Sequence, residues 1–193
     1  MAAALDELGR GHIDAVDLAG VQRDPSPEQL LARCGLESYA TIHREQSSYT
    51  WFLKKKIAAQ SGANGCEPCY DLCFIDGPKN WTIDGAAFVM ADMLLRPGGT
   101  VIFDDYSYAY GASEGSTDGI NHRELGEDER LEPHVRHIFH LLVMQHRNYG
   151  RFEVVNEQWA WATKTGGAER ALRVTERLGL RQKALRLLRR MRR

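Results

Sequence analysis

Apolar and polar positions along this chain alternate between two periods, a short run of four to seven residues and a longer helical repeat. The sequence HIDAVDL over 12–18 reads as a short buried strand. Ser26, Pro27, Glu28 and Gln29 then open a helix, with a serine able to cap, a proline suited to the first turn and a glutamine at the capping-box position. Gly35 closes that helix in the usual left-handed place. YATIHR (39–44) is the next predicted strand, Tyr49 to Gln60 a helix capped by Ser48, and SGANGCEPC a loop. YDLCFI (70–75) is an apolar run ending at Asp76, and Thr82 to Leu95 is helical. Arg96-Pro97-Gly98-Gly99 breaks that helix, and TVIF (100–103) leads into Asp104-Asp105. A polar, glycine-bearing stretch (106–130) precedes a helix from His134 to Arg147. RFEVVNE (151–157) and WAWATK (159–164) lie too close together for a helical crossover and are expected to pair antiparallel.

Strands that alternate with helices imply a parallel sheet covered on both faces. A terminal antiparallel pair on such a sheet argues against a nicotinamide-binding Rossmann domain. The expected architecture is therefore α/β, Rossmann-like, mostly parallel, with a terminal antiparallel strand pair.

With that pattern in hand, the residues at the strand ends become specific. YDLCFIDG, a helix and then LLRPGGTVIFDDY resemble the fourth and fifth strand motifs of the class I S-adenosylmethionine-dependent methyltransferases. HIDAVDL resembles their second strand, and RFEVVNEQWAWATK their closing antiparallel pair. The resemblance covers roughly residues 2–164 and is nearest to the catechol-type and natural-product sugar O-methyltransferases. It implies S-adenosylmethionine as cofactor, with Asp17 accepting hydrogen bonds from the ribose hydroxyls and Gln46 and Ser47 near the adenine edge.

Asp76, Asp104 and Asp105 form the chemical constellation. Adjacent strand ends are about 5 Å apart, so these carboxylates should converge and repel unless a cation sits among them. Magnesium suits oxygen ligands of this kind. The resemblance implies a metal site there, with Asp105 standing where the catechol enzymes carry an asparagine, and Asp76 serving the cofactor as well. Lys79, three residues after Asp76, stands where the catechol enzymes have their general base. Beside a dication its pKa should fall toward a useful value. Asn80 and Trp81 are candidates for the acceptor pocket, and His122 is a second candidate base.

The family's first strand and its glycine-rich cofactor loop find no counterpart. Gly9-Arg10-Gly11 follows a helix-like AAALDEL and opens the strand at 12–18, so it reads as a helix-to-strand turn. The expectation is a first central strand missing from the sheet. The explanations are a shortened gene product or mis-set start, a strand supplied by another chain, or a degenerate domain, the first being favoured.

Composition adds a boundary and some exclusions. The net charge of −1 hides a tail, 167–193, that carries +8 against −9 for the rest. The division expected is a methyltransferase-like domain over 1–166 and a basic amphipathic helical tail over 167–193. Ala171, Val174 and Leu178 predict one short helix, a break at Gly179, and Leu180, Ala184, Leu187, Leu188 and Met191 a second. Such a tail can meet an anionic membrane surface, a protein partner or its own acidic domain. Nucleic acid is disfavoured because no aromatic residues interleave the arginines. No run of about 18 apolar residues occurs, and the amino-terminal residues lack a secretory pattern, so a cytoplasmic protein is expected. One C-x-x-C at Cys66 and Cys69 does not make a zinc site. His134, His137 and His140 drift around their helix and read as surface or half-buried.

The functional expectation is metal-assisted methylation of a hydroxyl on a small-molecule acceptor, with a homo-oligomer left open. The alternative is a catalytically silent methyltransferase-like binding module.

Overall fold

The computed structural model describes residues 1–112 and 124–176. The chain divides into two compact units, Met1–Glu67 and Pro68–Arg193.

The first unit alternates helix and strand. Helix α1 (Ala2–Leu8) ends at Gly9 in the left-handed conformation, so Gly9-Arg10-Gly11 is a helix-to-strand turn as expected. Strand β1 (Ile13–Leu18) pairs in parallel with β2 (Ala40–Glu45), Asp17 lying opposite Arg44. Between them α2 (Pro27–Cys34) carries the full capping box, Ser26 accepting from the Gln29 backbone and Gln29 returning the bond, and stops at left-handed Gly35. Helix α3 (Tyr49–Gln60) is capped by Ser48. The predicted loop at 61–69 contains a small hairpin, β3 (Ser61–Gly62) against β4 (Gly65–Cys66). β1 and β2 form a two-stranded sheet of their own.

The second unit holds most of the buried apolar side chains. β5 (Tyr70–Ile75) and β6 (Leu95–Phe103) run parallel, joined by α4 (Trp81–Leu94). β7 (Gly150–Val155) and β8 (Trp159–Thr163) form the antiparallel hairpin that the sequence predicts, and β8 pairs antiparallel with β6. Three residues, Asn156 to Gln158, connect the strands; Asn156 and Glu157 have positive φ, 56° and 53°, and the Gln158 N–H donates to the Val155 carbonyl at 3.1 Å. Two short helices, α5 (Glu127–Leu131) and α6 (His134–Ile138), precede β7, and α6 runs on as a π-helical turn over Phe139–Val143. Phe88 of α4, Phe103 of β6, Phe139 and Phe152 of β7 are at most 2% exposed, and their rings lie 6.1–6.3 Å apart in successive pairs. These tilted and edge-to-face contacts pack Phe88 of α4 and Phe139 of the π-helical turn against Phe103 and Phe152 of the sheet. Gly150 is required at the start of β7, because a Cβ there would fall 1.7 Å from the Ala168 carbonyl oxygen.

One expectation is corrected. Residues 172–175, placed in a helix by the spacing of Ala171, Val174 and Leu178, form strand β9 (Leu172–Thr175), parallel to β7. The sheet order is β5-β6-β8-β7-β9. β7 would otherwise present an unpaired row of backbone groups, and the β-branched pair Val174-Thr175 suits an edge strand better than a helix. The second predicted tail helix and His122 lie outside the described residues.

Candidate functional site

The carboxyl ends of β5 and β6 bring the predicted acids together. Ile75 and Phe103 are register partners, so Asp76 and Asp104 are the next positions on adjacent strands, and the Asp104 N–H donates to the Ile75 carbonyl at 3.1 Å. Asp105 has φ 53°, which turns its side chain back toward the same rim. Lys79 lies between them. Its Nζ is 3.2 Å from Asp76 Oδ1 and 3.2 Å from Asp105 Oδ2, and its side chain is 16% exposed.

The Lys79 loop is built to hold that position. Lys79 itself has φ 58°. On one side of it, the buried Tyr110 hydroxyl donates to the Pro78 carbonyl at 2.6 Å. On the other, the Asn80 side chain caps α4, accepting from the N–H groups of Thr82 at 2.9 Å and Ile83 at 3.1 Å. The Asn80 N–H donates to buried Asp84, and the Trp81 N–H donates to His134 Nδ1 at 3.0 Å. His134 passes its other ring N–H to the Glu129 carbonyl. So the orphan donors of the first helical turn are satisfied by side chains from three places in the chain.

A second support comes from the β7–β8 hairpin. The Gln158 side-chain amide donates to Asp104 Oδ1 at 2.7 Å and to Asp105 Oδ1 at 2.8 Å, and the Gln158 backbone carbonyl accepts from the Tyr106 N–H at 2.9 Å. Asp104 Oδ1 also accepts from the Asp105 N–H at 2.8 Å. These donors offset the repulsion of neighbouring carboxylates. Beside them Arg136 bonds Glu157 at 2.7 Å and lies 5.0 Å over the Tyr106 ring, and the Tyr106 hydroxyl meets His140 Nε2 at 2.8 Å.

The electrostatics of Lys79 differ from expectation. Burial pulls its pKa down, but the charges of Asp76 and Asp105 and its hydrogen bonds to them outweigh burial, and the net shift is upward. The expected fall presupposed a dication beside it; with two carboxylates as its neighbours the ammonium form is favoured. Among the described residues no three His, Cys, Asp or Glu side chains already enclose a metal-sized position. Lys79 joins Asp76 to Asp105 and Gln158 joins Asp105 to Asp104.

The cofactor residues of the first unit sit at the carboxyl end of their own strand pair. Asp17 is the penultimate residue of β1, with Oδ2 3.2 Å from Arg44 and 3.4 Å from Arg23, and Oδ1 accepting from the Leu18 N–H at 2.9 Å. Arg44 also holds Glu28 at 2.9 Å. Gln46 and Ser47 are exposed just past β2. Asn80 was expected to line an acceptor pocket and instead caps α4; Trp81 is 40% exposed. His134, expected to be at the surface or half-buried, is 6% exposed. The sequence reading missed Gln158, Tyr110 and His134. Only the helix cap had a local signal, an asparagine preceding a helical pattern with an acid four residues on. A cavity of about 800 Å³ opens elsewhere, on the sheet face bearing Ile102, Trp161, Glu153 and Arg173. It holds none of the carboxylate cluster.

Parallel strands ending in a carboxylate rim, an intervening helix and a closing antiparallel pair define the class I methyltransferase architecture. The chain belongs to the methyltransferase-domain family, whose model matches residues 1–106. Among solved structures, it is similar to the O-methyltransferase of Bacillus cereus, determined in complex with SAH, at 16% identity over 80% of this chain and 63% of that one, TM-score 0.52. An O-methyltransferase family protein of Burkholderia thailandensis matches at 9% identity over 87% of this chain and 48% of that one, TM-score 0.51. MycE from the mycinamycin biosynthetic pathway, solved with Mg and SAH, matches at 14% identity over 93% of this chain and 43% of that one, TM-score 0.51. At these identities the likeness is one of fold. The chain spans 43–63% of the length of these structural relatives. No curated protein gives a significant match. Among the described residues no helix is long and apolar enough to cross a membrane.

Proposed function

We propose that the chain belongs to an S-adenosylmethionine-dependent O-methyltransferase acting, with a divalent cation, on a hydroxyl of a small molecule. The observation that carries this reading is the rim of Asp76, Asp104 and Asp105 on adjacent parallel strand ends, with an ammonium already between two of the three carboxylates. That donor set is of the hard oxygen type magnesium takes, and Lys79 is a stand-in for the positive charge the rim calls for. The Bacillus cereus relative was determined in complex with SAH and MycE with Mg and SAH, which supports both assignments.

In this reading Asp17 receives the ribose hydroxyls, and Gln46 and Ser47 meet the adenine edge. Asp17 turns from Arg44 and Arg23 to do so, an exchange of one set of donors for another. Asp76, Asp104 and Asp105 hold the cation, which when bound lowers the pKa of an acceptor hydroxyl. S-adenosylmethionine, when bound, supplies an electrophilic methyl group whose bond to sulfur breaks as its bond to the acceptor oxygen forms. Lys79, once released from Asp76 and Asp105 and in its neutral form, takes the hydroxyl proton. Gln158 keeps Asp104 and Asp105 aligned, and Tyr110, Asn80 and His134 keep the Lys79 loop in place, so that the protein's main contribution is orientation.

The test is methyl transfer from labelled S-adenosylmethionine to a panel of small phenols and sugar hydroxyls, with magnesium. Asp104→Ala is expected to abolish the magnesium-supported turnover, and Lys79→Met to lower kcat more than it raises KM. Turnover that survives both Asp104→Ala and strong chelation would remove the cation from the reaction. An unchanged kcat in Lys79→Met would remove Lys79.

A further inference from the structure

Lys79 and the proposed cation claim the same oxygens. Nζ of Lys79 binds one oxygen of Asp76 and one of Asp105, each at 3.2 Å, in a pocket that leaves the side chain 16% exposed. A divalent cation bound between those residues would take carboxylate oxygens at less than about 2.6 Å and would face the ammonium at close range. Two cations do not share so small a space in a half-buried site. The backbone of Lys79 is fixed by the Tyr110–Pro78 bond on one side and the Asn80 cap on the other. Its four-carbon stem is the part free to withdraw. Two of the three carboxylates, by contrast, are held from the far side: Gln158 grips Asp104 and Asp105 through its amide, at 2.7 and 2.8 Å. Those bonds do not depend on Lys79.

From this arrangement we infer that Lys79 is the resident counter-ion of the rim and exchanges with a divalent cation: the cation enters as the Lys79 ammonium leaves Asp76 and Asp105. The inference rests on the metal-assisted reading above and assigns Lys79 a role that precedes any proton transfer, that of competitor for the site. Three carboxylates against one ammonium leave the rim formally at −2, and a divalent cation in place of the ammonium brings it to −1, so the exchange is electrostatically favourable. The site is thus occupied by the chain's own charge when the metal is away, which prevents the collapse or splaying of three unshielded acids.

The experiment is magnesium binding by calorimetry, repeated with manganese by electron paramagnetic resonance, on the whole chain and two variants. Lys79→Met removes the competing charge and is expected to bind the ion about ten-fold tighter than the native chain, equivalent to about 1.4 kcal/mol. Lys79→Arg keeps a competing cation and is expected to stay near the native affinity. Equal or weaker binding by Lys79→Met, with measurable binding by the native chain, overturns the exchange and leaves the metal reading standing. No binding by the native chain or either variant overturns both. Should Lys79→Met fail to fold, as judged by its melting curve, acetylation of the native chain followed by mass spectrometry decides. Lys79 should label faster on addition of magnesium while exposed Lys55 does not change, and an unchanged ratio of the two overturns the exchange.

Discussion

Replacing His134 with leucine tests whether the tertiary contacts around Lys79 are as demanding as they look. The imidazole is 6% exposed and uses both nitrogens, Nδ1 accepting from the Trp81 N–H at 3.0 Å and Nε2–H donating to the Glu129 carbonyl. Its ring stands edge-on to Tyr110 at 5.3 Å, and Tyr110 in turn holds Pro78. Leucine fills similar space and makes neither bond. A buried group left without its partner costs about 1–3 kcal/mol. Water reaches the Trp81 end in part, since that residue is 40% exposed, so the lower half of the range applies there. The lost aromatic contact adds about 0.5–1.5 kcal/mol. With about 1–2 kcal/mol at the Trp81 N–H and about 1–3 kcal/mol at the Glu129 carbonyl, the expected destabilisation is about 2.5–6.5 kcal/mol, or a fall in Tm of roughly 8–20 °C for a chain of this size. Differential scanning calorimetry measures it directly, and His134→Gln, which can replace one bond but not bridge both, should fall between. A loss under about 0.5 kcal/mol for His134→Leu would refute the claim that this histidine closes the first turn of α4. The Lys79 loop would then have to be held by Tyr110 and Asn80 alone.

Other outcomes follow from the same structure. Lys164 donates to the Asp92 and Leu95 carbonyls at 2.7 and 3.1 Å and pairs with Asp92 Oδ1 at 3.1 Å, supplying the basic group that the last turn of α4 lacks. Lys164→Met should cost about 2–4 kcal/mol in denaturant unfolding, and the double variant with Asp92→Asn less than the sum of the two single losses; strict additivity would show that the pair is not coupled. For His140, burial first, then the charges of Arg136 and His137, lower its pKa below the ordinary 6.5. The unfolded chain therefore binds the proton more readily, so this residue's contribution to stability is full above about pH 6.5 and is lost as pH falls toward the lowered folded value. Melting curves between about pH 5 and 7.5 should show that slope in the native chain and a shallower one in His140→Phe; identical slopes would exclude His140 as their source.

The strands, helices and caps of this chain were legible because they are local properties. Ser26 with Gln29, Gly9, Gly35 and Ser48 each act within a turn of where they stand, and the period of apolar residues needs no partner to be read. The acids at 76, 104 and 105 were legible as well, since strand ends in a parallel sheet fall on one rim whatever the rest of the chain does. What the sequence left undetermined was who answers those acids. Gln158 reaches Asp104 from 54 residues away and His134 reaches Trp81 from 53, distances at which no periodicity carries information. The same holds for β9, whose four residues follow a helical spacing and become a strand because the edge of β7 is there to be paired. The charge state of Lys79 was set in the same way: its place three residues after Asp76 fixed its reach, but only folding placed Asp105 on its other side, and a lysine between two carboxylates keeps its proton.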